Sequence, residues 1–278
     1  MFSPEAIQMI QESLAVEQLN KLDPVTQALQ PVVFAPQEYK AHNLEQYLEA
    51  RLRARGTFTT AVIPAFVTYV NEEAVNNAGE KLARCFVDDE NLSAVAVFNF
   101  AHPEHEQGHC DNRATIRLKR TAVYQVLCDM SGSRIAQQGA AEFIEDYANY
   151  ITAYDEAGAE MKLSRVVSTL RKLKIEAKRD SEHTVENFNQ SRSLMESIEA
   201  KGDALPHTLS FSCEPYAGLG DYSISLRLSV IAGEAPVFVF RIIKPEELHQ
   251  EFAEHFTQIL TDGVDKQWCD VFMGSFSA

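Results

Sequence analysis

Leu92–Thr121 reads LSAVAVFNF, AHPEHEQGHCDN, RATIRLKRT, and how this stretch folds decides the rest. Two apolar-rich runs flank a polar connection that carries three of the chain's eight histidines. Ser93–Phe100 is dense in Val and Phe and reads as a strand buried on both faces. Ala114–Lys119 sets Ile116 and Leu118 against Thr115, Arg117 and Lys119, the period of a half-buried strand. A connection of about twelve residues is long for a hairpin, and long connections in compact domains are often functional.

Inside that connection His105-Glu106-Gln107-Gly108-His109 fits the letter of H-E-x-x-H. The motif binds zinc because helical i and i+4 imidazoles point the same way, with the glutamate activating a bound water. It therefore needs a helix. Pro103 before it, Gly108 within it and Asp111-Asn112 after it oppose one, and no apolar stripe would seat it. A zinc protease would also need a third ligand, for which Glu142 or Glu145 could serve. Without a helix, His105, His109 and Asp111 are the candidate metal ligands and zinc the candidate ion. The structural expectation is that His109 and Asp111 fix the start of the following strand by hydrogen bonds, with His102 and His105 exposed.

Working outward toward the N-terminus, Thr60 is placed to cap a helix from Ala61 to about Asn76, striped by Ile63, Phe66, Val67 and Val70. Pro64 falls in its first turn, where a missing N–H costs little. Arg51, Arg53 and Arg55 precede it as a candidate interaction cluster. Residues 4–20 repeat apolar positions at helical spacing, residues 21–43 are punctuated by Pro24, Pro31 and Pro36, and Leu44–Arg53 reads as a short helix. We expect residues 1–55 to be a helical extension and connector, and 56–278 an α+β domain with a possible division near 155–160.

Toward the C-terminus, Ala122–Met130 and Ala140–Tyr154 read as helices around a loop at Ser131–Gly139, and Met161–Leu170 as another. Leu173, Ile175 and Ala177 then alternate at strand period with basic residues. Lys162–Arg179 holds seven basic residues and one acid, so it carries +6 and leaves −21 for the rest of a chain whose net charge is −15. Lys172, Lys174 and Lys178 are its candidate contacts. Glu176-Ala177-Lys178 has the spacing of a nuclease E-x-K element, which places a carboxylate for Mg²⁺ and an ammonium on one strand face. Such a site also needs an upstream aspartate at a strand end, and the nearest, Asp155, has no such context. Ser193–Glu196 has capping-box spacing ahead of a short helix to Ala200. Thr208–Cys213, Ser223–Ile231 and Val237–Ile243, separated by EPYAGLGD and AGEAP, read as an antiparallel meander. Pro245 opens a helix through Leu260. Trp268, Phe272 and Phe276 suit core closure or a tail docked on a neighbour better than a ligand cage.

Five widely spaced cysteines without a C-x-x-C pair read as free thiols of a reducing compartment. The first residues lack a basic segment followed by an apolar one, so no secretory signal is expected. No apolar run reaches the ~18 residues that span a bilayer. A soluble, cytoplasmic protein with no membrane partner is the expectation. The acidic balance disfavours broad nucleic-acid binding. The nucleotide-binding fingerprints G-x-G-x-x-G and G-x-x-x-x-G-K-[ST] are absent.

Three stretches together resemble the YfdQ-like family of phage and prophage proteins: RARGTFTTAVIPAFVTY at Arg53–Tyr69, FNF with GHCDNRATIRLKRTAVY between Phe98 and Tyr124, and SRSLMESIEA from Ser191. The resemblance implies a phage or prophage gene product in the bacterial cytoplasm. It implies no activity, cofactor or catalytic residue. Gly108, His109 and Asp111 match the family's pattern, whereas His105-Glu106 does not. The expected fold is α+β, with antiparallel sheet segments, packed helices and a C-terminal meander followed by a helix. The expected function is a non-enzymatic accessory protein, without cofactor or catalytic residue, that forms homo-oligomers or binds a host or phage protein. The alternatives are a metal-dependent hydrolase or nuclease, and a DNA recombination or replication accessory protein.

Overall fold

The computed structural model describes residues 32–34, 41–43, 45, 48–51, 53–75, 79–103, 107–173, 205–231 and 236–277. The helices expected at 4–20 and 193–200 and the strand expected at 173–178 lie outside them, apart from Leu173. The chain divides into two compact units, Met1–Gly56 and Thr57–Ala278. In the first, β1 (Val32–Phe34) pairs antiparallel with β2 (Ala41–Asn43). The helix expected at Leu44–Arg53 is corrected: Glu45 lies in a 3₁₀ turn and Leu48–Ala50 in a bend.

The second unit is α+β, with two sheets and five helices among the described residues. A five-stranded sheet holds β3 (Gly56–Thr60), β4 (Ala83–Asp88), β5 (Ser93–Val97), β6 (Asn112–Arg117) and β13 (Cys269–Met273) in the order β13-β4-β5-β6-β3. β5 buries Ala94 and Ala96 on its inner face, leaves Ser93 and Val95 half-buried on the other, and stops at buried Val97. Its neighbour β4 alternates too: Ala83, Cys85 and Val87 are buried while Arg84 is exposed. Asp88 closes the β4–β5 turn by accepting from the backbone N and the side-chain amide of Asn91, at 3.0 and 2.9 Å. Those bonds stabilise the ionised form and hold its carboxyl below the usual range.

The inner face of this sheet is built from small residues, Ala83, Ala94, Ala96 and Ala114. Small residues leave room for large ones opposite. Phe66 and Val70 of α1 (Ile63–Glu73) share this core with Phe252, Phe256 and Leu260 of α5 (Pro245–Gly263). The two helices are tied where Asn71 Nδ2 donates to Gly263 O at 2.9 Å. Thr60 does not cap α1. Its hydroxyl accepts from Val62 N at 3.1 Å, because Gly56–Thr60 is itself a strand.

The six-stranded sheet has the order β7-β12-β11-β10-β8-β9. Its centre is the expected meander: β10 (Thr208–Cys213), β11 (Tyr222–Ile231) and β12 (Val237–Ile242), antiparallel throughout. Its outer strands correct two expectations. Ile135–Ala136 (β7) pairs with β12 inside the expected loop. The helix expected to run to Tyr154 ends at Asp146, and Ile151–Tyr154 (β8) pairs with β10 and with Glu160–Met161 (β9). Helices α3 (Gln137–Asp146) and α4 (Leu163–Lys172) share the core with the sheet's apolar face, where the Phe143 ring lies 5.3 Å from Phe240 and 6.3 Å from Phe211.

Helix α2 (Ala122–Met130) joins the sheets. Thr121 caps it by accepting from Tyr124 N at 3.3 Å, and its hydroxyl donates to Glu214 O at 2.6 Å. None of the described helices is long and apolar enough to cross a membrane.

On the solvent side of the meander, Arg227 of β11 sits directly opposite Arg241 of β12, both exposed. Like charges directly opposite destabilise a sheet. Arg241→Glu turns the pair attractive and is expected to raise unfolding free energy by about 0.5 kcal/mol, read from the urea midpoint.

Candidate functional site

The connection that follows β5 is held by one asparagine. Asn99 Nδ2 donates to Asp111 Oδ1 at 2.8 Å, and Asn99 Oδ1 accepts from Asn112 N at 3.1 Å. Gly108 N donates to Phe100 O at 2.9 Å and Cys110 N to Asn99 O at 3.3 Å, so the returning strand is laced to the outgoing one. Gly108 is needed for close approach, since a Cβ there would lie 2.0 Å from Asn99 O. Buried Cys110 takes the left-handed region at φ 54. Asp111 therefore does help fix the start of β6. His109 is exposed, and no hydrogen bond from its ring to a described residue is formed. His105 lies outside the described residues. Among the described residues no three His, Cys, Asp or Glu side chains gather as a metal site.

The clamp delivers Phe100 and Arg113 to the outer face of the five-stranded sheet. Register places Asp270, Arg84, Val97 and Arg113 in one row, and Phe272, Phe86, Val95 and Thr115 in the next. Two strand spacings separate Arg84 from Arg113, about 10 Å. The chain's last described residues fold back over these rows. Phe276 stacks on Phe86 at 4.8 Å and 14°, and meets Phe100 edge-on at 5.5 Å. Phe86 also contacts Phe100 at 5.7 Å and Phe272 at 5.9 Å. The Arg84 guanidinium lies 4.4 Å from the Phe100 centroid, and that of Arg113 6.0 Å from Phe276. Ring quadrupoles attract such cations. Among the described residues neither arginine has an ion-pair partner, while Lys81 and Asp270 pair at the rim at 2.6 Å. Phe272 is 43% exposed, so apolar surface remains open on this face.

The sequence pattern missed this surface. β4 and β13 are short, and Phe272 and Phe276 lie far in sequence from Phe86, the ring that gathers them. β13 pairs parallel to β4, the one departure from antiparallel pairing among the registers described.

Arg55 pairs with Glu45, and Arg51 Nη1 donates to Arg55 O at 3.1 Å, so two of the three arginines serve the first unit's own fold. Arg53 is half-buried. Lys172 ends α4 beside an open groove of about 510 Å³ lined by Ile144, Glu145, Leu163, Val167 and Arg171, which the Arg171–Glu145 pair bridges at 2.6 Å. Lys174, Glu176 and Lys178 lie outside the described residues.

Cys85, Cys213 and Cys269 are poorly suited to nucleophilic work. Burial, then Asp270, pushes the Cys269 thiol up to about 12, and burial, then Cys128, pushes Cys213 up to about 11. Burial and the neighbouring Cys269 push Cys85 up further. A thiol that keeps its proton neither attacks nor ligates.

Three outcomes follow from these contacts. Gly108→Ala is expected to destabilise by about 3 kcal/mol, checked by denaturant unfolding, since backbone must shift to admit the methyl. Thiol reagents at pH about 8 should label Cys85 and Cys269 only after denaturation. An unfolded Cys269 titrates near 9.0 and the native one near 12. Unfolding stability is thus full below that window and falls as pH rises through it, a slope that Cys269→Ala should reduce.

The comparison with curated proteins found no match, and neither did the comparison with solved structures. A family described as "Uncharacterized conserved protein (DUF2303)" matches residues 4–276. The match takes in both sheets, the Asn99 clamp and the aromatic face, and the chain belongs to that family.

Proposed function

We propose that this is a non-enzymatic accessory protein, encoded by a phage or prophage, that works in the bacterial cytoplasm by binding copies of itself or a protein partner. The observation that carries the reading is the outer face of the five-stranded sheet, where Phe86, Phe100, Phe272 and Phe276 gather under Arg84 and Arg113. Aromatic and arginine side chains dominate the energetic centres of protein interfaces. The phage setting rests on the resemblance of Arg53–Tyr69, Phe98–Tyr124 and Ser191–Ala200 to the YfdQ-like proteins. A nucleic-acid reading has the right side chains for stacking bases, but a net charge of −15 works against a phosphate backbone.

Sedimentation or light scattering at micromolar concentration tests the proposal. The wild-type chain, or the chain with its partner, should sediment as an assembly. Phe272→Glu should sediment as a single chain with its melting temperature little changed, because that ring is half-exposed. A wild-type protein that stays monomeric in cell extract and purified, or that binds oligonucleotides with steep salt dependence, overturns it.

A further inference from the structure

The aromatic face has a complement on the opposite side of the same layer. α5 carries Glu246, Glu247, Glu251, Glu254 and Asp262, with no Lys or Arg between Pro245 and Gly263. Its buried residues Phe252, Ala253, Phe256 and Leu260 turn inward with the sheet's inner face. Glu247, Glu251, Glu254, Gln258 and Asp262 are exposed and recur every three or four residues, which places them in one stripe. So this layer presents aromatic rings and arginines on its sheet side and carboxylates on its helix side.

We propose that the occupant of the aromatic sheet face is the acidic stripe of α5 from a second copy of this chain. The inference rests on the binding role proposed above and names its partner surface. Spacing supports it. Arg84 and Arg113 lie about 10 Å apart across two strand spacings. Lys244 already pairs with Glu247 at 2.7 Å, and the eight residues from Glu254 to Asp262 span about 12 Å of helix, within reach of two flexible guanidinium groups. Two arginines without ion-pair partners among the described residues then meet two carboxylates on the helix. The exposed ring of Phe272 is covered by the helix's aliphatic stems. A symmetric sheet-to-sheet contact would instead bring Arg84 and Arg113 of one copy against those of the other, and like charges oppose it. Because the two surfaces lie on opposite sides, each contact leaves one of each free. The assembly grows head to tail until it closes as a ring or extends as a filament.

The full chain tests this by sedimentation at low and high salt, with circular dichroism checking the fold of each variant. Arg84→Glu with Arg113→Glu, and Glu254→Lys with Asp262→Lys, should each weaken association about tenfold or more. The variant that carries all four changes should recover most of it, since each contact again pairs opposite charges. High salt should weaken the wild-type contact. If the α5 variant assembles like wild type while the arginine variant and Phe272→Glu do not, the sheet face binds another surface and this inference falls, although self-assembly stands. Failure of the four-change variant to recover, with its fold intact, also overturns it. A wild-type monomer overturns the proposed function together with it.

Discussion

A side-chain period of two runs through β4, β5 and β6, and their register holds that period in phase across three strands. Cys85, Ala96 and Ala114 line up on the inside, and Arg84, Val97 and Arg113 form one row of the ladder. A slip of one residue would send the arginines into the core. Burial of the inner residues opposes that slip, and between β5 and β6 the Asn99 clamp opposes it too, its amide serving both Asp111 and the backbone of Asn112. Gly108 makes the clamp possible by letting the returning chain pass Asn99 O without a side chain in the way.

The core and the surface are consequences of that sorting. Alanines inside the sheet allow α1 and α5 to bring in Phe66, Phe252 and Phe256, which recover apolar burial that alanine cannot supply. Outside, the same sheet carries Phe86 and Phe272. Phe276 covers part of Phe86 and Phe100, and Phe272 stays open. An acidic protein with one aromatic, arginine-bearing face has a directional surface, and directional surfaces favour ordered contacts over indiscriminate ones.

Sequence reasoning went furthest where the period was long and uninterrupted. Ala122–Met130, the meander from Thr208 and the helix from Pro245 were legible because their stripes, turns and prolines agree. It failed at short edges. Ile135–Ala136 and Glu160–Met161 have two residues each, too few for a period to register. Ile151 fitted a helical stripe and a strand equally well, and pairing with Phe211 settled it as a strand. The loop histidines drew attention because their letters matched a motif. The asparagine that organises the loop matches none, and only its two hydrogen bonds reveal it.

The sequence by itself determined the α+β class, the acidic balance and the meander with its closing helix. These depend on local period, turn chemistry and charge, which neighbouring residues carry. The tertiary structure alone decided that Cys269–Met273 joins Ala83–Asp88 in parallel, with Lys81 and Asp270 meeting across 189 positions of chain. That pairing draws Arg84, Phe86 and Phe272 onto one surface. Contacts so distant in sequence leave no local signal, because either segment alone reads as an ordinary short apolar run.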